Sequence, residues 1–162
     1  MIGQQEQMGQ KNLFAKIWHA FPTGVRLLAL RLTNARFTVT AGAVIFNEQN
    51  QVLLLKHPFR AGSGWGLPGG FLKHGEQPID ALRRELEEEI KLKVDNVEVF
   101  WARSFQRPKQ VEILFPAETR ATPQPQSMEV ECAVWFNSNE LPEGLPKDQK
   151  SLVERAVEKR GV

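Results

Sequence analysis

A glycine-rich loop that runs into a carboxylate-laden helix constrains this chain more than any other feature. Gly69-Gly70-Phe71-Leu72-Lys73-His74-Gly75-Glu76 is followed, after a short gap, by Arg84-Glu85-Leu86-Glu87-Glu88-Glu89. At roughly 100° per residue, Glu85, Glu88 and Glu89 fall at i, i+3 and i+4 and share one helical face, while Glu87 points elsewhere. Like charges at this spacing repel by roughly a few tenths of a kcal/mol per pair. Three on one face therefore call for a cation between them, and oxygen donors select a hard divalent ion, magnesium first. Ile79, Leu82, Leu86 and Ile90 form an apolar stripe beside the acidic one, so one side of the helix packs and the other faces a site. Pro78 suits a first helical position and Asp80 the positive N-terminus, which puts the helix start near residue 77 or 78. The pentapeptide Glu-Leu-Glu-Glu-Glu alone reads as a solvated face. The flanking glycines and Arg84 change that reading.

Around this unit the chain alternates strands and helices. Phe37 to Phe46 is a β-branched run, Val52 to Leu55 is another, and Asn47-Glu48-Gln49-Asn50 between them is a turn, so the three read as a hairpin of buried strands. Further strands are expected at Val94 to Phe105, Val111 to Phe115 and Val130 to Phe136. A final amphipathic helix is expected from Pro146 to Lys159 with Leu152, Val153 and Val157 inward. Two helices against a mixed β-sheet make an α/β/α sandwich. The polar, proline-bearing stretch Ala121 to Ser127 is a loop of the kind that sits beside active sites.

The loop and helix resemble the signature of the Nudix hydrolases, G-x5-E-x7-R-E-U-x-E-E-x-G-U with U a bulky aliphatic. Gly70, Glu76, Arg84, Glu85, Leu86, Glu88, Glu89 and Leu92 stand at its fixed positions, and Gly66-Leu67-Pro68-Gly69 matches the usual lead-in. One position departs: Lys91 stands where the signature has its second glycine, which commonly serves as a left-handed helix stop. A lysine in that conformation costs about 1–2 kcal/mol; the alternative is a helix that runs on. The resemblance covers residues 70–92 strictly and 36–158 loosely, and implies a Nudix-type α/β/α sandwich over 34–162 with an N-terminal helical arm over 1–33.

The same resemblance implies the chemistry. Glu85, Glu88 and Glu89, with the carbonyl of Gly69, would hold Mg2+ or Mn2+, and Glu85 or a distal carboxylate would activate water. Glu129 is similar to the distal glutamate of some relatives, with Glu112, Glu118 and Glu131 as rivals. Arg84 and Glu76 look like the pair that braces the loop, beside Gly70, and aims Glu85. The implied reaction is hydrolysis of a pyrophosphate bond in a nucleoside diphosphate linked to another moiety: a nucleoside triphosphate, ADP-ribose or a nucleotide sugar. Alternatives are an RNA 5′-end pyrophosphohydrolase and a non-catalytic ligand-sensing module. Arg60, Trp65 and Phe105 are the candidate substrate-binding residues, the rings by stacking and the cation by meeting phosphate.

Composition bounds the partners. With 162 residues, a net charge of +2 and no basic run interleaved with aromatics, the chain reads as a globular protein in which nothing supports a DNA partner; a nucleotide-type small-molecule substrate is what the resemblance implies. The single cysteine, Cys132, has no partner for a disulfide and points to the cytoplasm. In the arm, Phe14, Ile17, Trp18 and Phe21 form an apolar stripe broken at Pro22, ahead of Val25-Arg26-Leu27-Leu28-Ala29-Leu30-Arg31-Leu32. No stretch reaches the ~18 apolar residues of a membrane span, so stable insertion is not expected. Packing onto the domain or in a homodimer, lying on a membrane surface, and substrate capture all remain open; burial of Trp18 at a protein interface is the leading expectation.

Overall fold

In this computed structural model, residues 16–95 and 97–161 are described, so Phe14 of the predicted stripe lies outside them. The chain divides into two compact units between Arg36 and Phe37, and each is described by itself. In the first, residues 16–20 are helical, the helix stops at Phe21 and Pro22, and α1 follows at Thr23–Thr33. Pro22 is the N-cap of α1, and the Asn34 amide closes its end on the Leu30 carbonyl at 3.0 Å.

The second unit is built around β1 (Thr38–Phe46). Its neighbour on one side is β6 (Gln110–Glu118), parallel and in register over nine residues from Thr38↔Gln110 to Phe46↔Glu118. On the other side β1 meets β4 (Gly69–Phe71) and, at its end, β2 (Val52–Lys56), both antiparallel. β3 (Trp65–Gly66) and β7 (Cys132–Phe136) flank β2, and β5 (Trp101–Phe105) forms the edge beyond β6. A strand paired on both sides and covered on both faces reads as a continuous apolar run, which is why β1 shows no polar alternation from Ala41 to Phe46.

The two faces nonetheless part with period two. Ala41, Ala43 and Ile45 join Leu53 and Leu55 under α2 (Pro78–Ile90), which contributes Ala81, Leu82, Leu86 and Ile90. Val44, Phe46, Val52 and Leu54 face α3 (Lys147–Arg160) through Leu152, Val153 and Ala156. The result is the expected α/β/α sandwich with a mixed sheet. The hairpin turn is held by Asn47, whose Oδ1 accepts from the Gln49 and Gln51 amides at 3.0 and 2.9 Å.

Several element boundaries shift: the strand expected over Val111–Phe115 runs from Gln110 to Glu118, and the last helix takes Pro146 as its N-cap and runs from Lys147 to Arg160. The strand expected over Val94–Phe105 forms at Trp101–Phe105, with a lone bridge Asp95↔Glu118 upstream. The last strand starts at Cys132 rather than Val130, whose amide is taken by the Ser127 carbonyl at 3.2 Å.

Lys91 ends α2 in the left-handed conformation, at φ 49° and ψ 40°, and the Leu92 amide reaches back to the Leu86 carbonyl at 3.1 Å. The glycine-type stop is therefore kept with a lysine in it. Lys91→Gly is expected to raise stability by about 1 kcal/mol, the left-handed penalty less the entropy of the added glycine. Equal or lower denaturation midpoints for the variant would show that the lysine carries no strain.

Candidate active site

The loop reaches α2 without side chains in the way. Gly69 sits at φ +145°, and a Cβ there would come within 2.2 Å of the Ala41 carbonyl on β1. A Cβ on Gly70 would lie 2.3 Å from the Glu85 carboxyl carbon, so the loop backbone rests directly on that carboxylate. At residue 77 the chain turns into α2 with Pro78 in its first turn.

Arg84 organises the acidic face. Its Nε and Nη2 take the two oxygens of Glu76 at 2.8 and 2.9 Å, a bidentate pair. Nη1 donates to Glu85 Oε1 at 2.8 Å and Glu88 Oε2 at 3.2 Å, and Nη2 also reaches the Phe71 carbonyl at 3.0 Å. Arg84 thus ties the loop to both carboxylates. The hydrogen bonds from Arg84, seconded by the Lys73 amide, hold the Glu76 carboxyl down at about 2, and those from Glu76 hold the Arg84 guanidinium above its ordinary range.

Glu89 is different. It is 6% exposed, and its Oε2 has no hydrogen-bond partner among the described residues. Burial foremost, then the charges of Glu85 and Glu129, push its carboxyl up to about 7, with Arg60 acting in the opposite sense. A buried acceptor left unpaired is costly unless a ligand completes it. Glu87, as its helical phase requires, is exposed and apart from this group.

Glu129 lies before β7, exposed, near enough for its charge to act on both Glu89 and His57. Its rivals are in ion pairs: Glu131 with Lys56 at 3.1 Å, Glu118 with Arg160 at 2.6 Å and Glu112, which lies at the cavity beside Arg60, with Arg103 at 2.5 Å. His57 is lowered by burial and by Arg60, against its bond to the Glu129 backbone.

Arg60 lines a cavity of about 160 Å³ together with Gly42, Gly69, Gly70, Gln110 and Glu112. Its Nη1 is buried without a partner among the described residues, and a Cβ on Gly66 would come 1.5 Å from that nitrogen, so the guanidinium lies across a bare stretch of backbone. Burial lowers its affinity for the proton, opposed by Glu89 and Glu112. Phe105 stands one ladder step from this wall, opposite Gln110, with the Arg103 guanidinium 4.7 Å over its ring. Trp65 is placed elsewhere: its ring meets Phe136 edge-on at 5.2 Å in the cluster under α3.

Three glutamines escaped the sequence reading. Gln126, in the Ala121–Ser127 loop, donates from Nε2 to the Glu87 and Glu88 carbonyls at 2.8 and 3.1 Å, and from its amide to the Glu89 carbonyl at 3.0 Å. The loop thereby caps the end of α2 and brings Glu129 alongside it. Gln149 of α3 accepts the Leu67 amide at 2.8 Å, and Gln110 donates to Thr40 at 2.8 Å. A polar loop of no fixed spacing gives no signal for such contacts. Gln126→Ala is expected to lower turnover several-fold and to raise protease sensitivity near residue 126, since the Glu88 carbonyl loses its side-chain donor while the Glu87 carbonyl keeps only the Lys91 amide at 3.2 Å. Unchanged kinetics and proteolysis would assign the capping to the loop amides alone.

The donor set, three carboxylates and a glycine carbonyl with one buried oxygen unpaired, fits a hard divalent cation. Among the described residues no three acidic, histidine or cysteine side chains converge on one point, because Arg84 holds one oxygen each of Glu85 and Glu88.

The family model of the NUDIX domain matches residues 36–156, and the chain belongs to that family. It is 28% identical over 117 residues to the NAD-capped RNA hydrolase NudC of Vibrio parahaemolyticus, an alignment covering 70% of this chain and 45% of the relative. The chain thus spans about half the length of that curated relative. A NUDIX hydrolase of Nitrosomonas europaea superposes with a TM-score of 0.69 at 26% identity, over 79% of this chain and 74% of that one. The NUDIX domain of Shewanella oneidensis NrtR, solved with ADP-ribose, superposes with a TM-score of 0.65 at 23% identity, over 90% and 97%.

Proposed function

We propose that this protein is a divalent-metal-dependent pyrophosphohydrolase that cleaves the P–O–P bridge of a nucleoside diphosphate linked to another moiety, in the class of nucleoside triphosphates, ADP-ribose and nucleotide sugars. The observation that carries it is the face of α2, where Arg84 gathers Glu85 and Glu88 beside a buried, unpaired Glu89 oxygen. Glu85, Glu88, Glu89 and the Gly69 carbonyl would hold the ion, Mg2+ first and Mn2+ second. When bound, a divalent ion neutralises phosphoryl charge and makes water a better nucleophile.

The chain's own groups do the rest. Water adds to one phosphorus, the bridging P–O bond breaks, and a nucleoside monophosphate and a phosphorylated remainder leave. Glu85 is our first choice for taking the water's proton; Glu129, which makes no ion pair among the described residues, is the second. Arg84 and Glu76 act by positioning. Arg60 offers an unpaired guanidinium nitrogen to a phosphate, and Phe105 stands at the same wall. Cys132, the chain's one cysteine, is free and half-buried, in keeping with the cytoplasm.

The test is phosphate or nucleotide release from a panel of nucleoside triphosphates, ADP-ribose, nucleotide sugars, dinucleoside polyphosphates and capped RNA, with magnesium and then manganese. Turnover of one class sensitive to a chelator is the expected result. A second reading, action at an RNA 5′ end, is favoured by the name of the NudC relative and would show as selective, salt-sensitive turnover of the capped RNA. Binding of ADP-ribose with no turnover of any compound would leave the ligand-sensing reading.

A further inference from the structure

We propose that the N-terminal arm docks the protein on the surface of an anionic phospholipid bilayer. α1 has no buried residue. Val25, Leu27, Leu28, Leu30 and Leu32 are 47, 49, 56, 45 and 76% exposed, and Ile17, Trp18 and Phe21 just upstream are 48, 39 and 47% exposed. Eight large apolar side chains in one short stretch exceed the scattered exposure of an ordinary surface and mark an interaction site.

The charge of the arm names the partner. Lys11, Lys16, Arg26, Arg31 and Arg36 fall between residues 7 and 47, and that stretch contains no acidic residue, although the chain as a whole carries 21 basic and 19 acidic side chains. On the helix, Val25, Leu28, Ala29 and Leu32 recur at i, i+3, i+4 and i+7 with Arg26 and Arg31 on the two sides of this stripe, while Leu27 and Leu30 fall on the opposite face. An apolar stripe edged by cations matches acyl chains bordered by phosphates. Trp18 and Phe21, at the break before α1, are residues that favour the headgroup level. The 11 residues of α1 span roughly 17 Å, about half the bilayer's hydrocarbon thickness, so the helix lies in the surface rather than across it. Among the described residues no helix is long and apolar enough to cross a membrane.

Two other occupants fit less well. A second copy of the arm would bring the same cations and no carboxylate to meet them. An RNA strand has phosphates for the arginines but offers leucines nothing to stack on, and aliphatic residues outnumber aromatics here.

The test is co-sedimentation of the full chain with vesicles of phosphatidylcholine alone and of phosphatidylcholine with about 30% phosphatidylglycerol, at low and high salt. The expected result is at least tenfold tighter binding to the anionic vesicles, weakened by salt, with a blue shift of emission that Trp18→Phe removes. Leu28→Asp with Leu32→Asp, and separately Arg26→Glu with Arg31→Glu, should each abolish binding while circular dichroism and turnover of a small substrate stay unchanged. Failure to bind anionic vesicles overturns the proposal, as does a stable dimer that Leu28→Asp disperses in their absence. Retention on RNA lost in the arginine variant, without vesicle binding, overturns it in favour of a nucleic acid.

Discussion

Glu89→Gln is expected to lower turnover by about 10²–10³-fold while making the metal-free protein more stable above pH 7. The amide removes a charge that a divalent ion needs, so the loss should appear in metal titrations as well as in kcat. The stability gain follows from the raised carboxyl. In the fold Glu89 titrates near 7, against an ordinary 4.5. A carboxyl raised by folding takes up its proton more readily folded than unfolded, so stability is highest below the unfolded value and declines as pH rises from about 4.5 to 7. The full decline is of order 1–3 kcal/mol for a group this buried, and the glutamine variant escapes it. Melting curves with a chelator at pH 5 and pH 8 measure both: the native protein should soften between them more than the variant does. For the same reason metal affinity should climb up to about pH 7 and level off above. Equal melting of the two proteins at pH 8, or near-native activity of the variant with magnesium, would remove Glu89 from the proposed site.

Arg84→Ala is the second large effect. The guanidinium makes five hydrogen bonds, to Glu76, Glu85, Glu88 and the Phe71 carbonyl. Without it the only ion pair left between the loop and α2, among the described residues, is Lys73 with Glu88 at 3.5 Å, and Glu76, Glu85 and Glu88 lose the guanidinium that joins them. Turnover should fall by about 10–100-fold, the usual range for residues that orient ligands, with metal affinity reduced far less than by Glu89→Gln. The Glu76 carboxyl, now held near 2, should return toward the ordinary carboxylate range. A carboxyl lowered by folding stabilises above its unfolded value and loses that contribution as pH falls toward 2, so the variant should unfold at a higher pH during acid titration. A variant that loses metal as completely as Glu89→Gln would make Arg84 part of the metal site rather than its brace.

How much could be read in advance depended on whether a residue's job was periodic or local. The helical phase of Glu85, Glu88 and Glu89, the start at Pro78, and the inward Leu82, Leu86 and Ile90 all follow from 3.6-residue repetition, and the structure keeps them. The turn at Asn47 carried its own chemistry in the asparagine. Lys91 left two outcomes open, and the left-handed stop prevailed because the Leu92 amide still needs the Leu86 carbonyl. What stayed hidden were contacts between distant segments. Gln126 lies some forty residues past the carbonyls it caps, and Gln149 about eighty past the loop amide it binds, with nothing repeating to announce either. Trp65 shows the opposite failure: an aromatic beside a glycine-rich loop resembles a stacking platform, yet its neighbour in space, Phe136, turns it toward the interior.

The parallel pairing of β1 with β6 also governs how this protein comes into being. Each residue of β1 must wait for a partner 72 positions later, as Thr38 does for Gln110, before the sheet has a centre. The hairpin and the acidic helix are completed earlier but have too little to rest on. Closing so long a loop is entropically slow. Nascent chains halted before Gln110 should therefore be protease-sensitive throughout, and the ability to hold an ion should emerge abruptly rather than by degrees as synthesis passes β6.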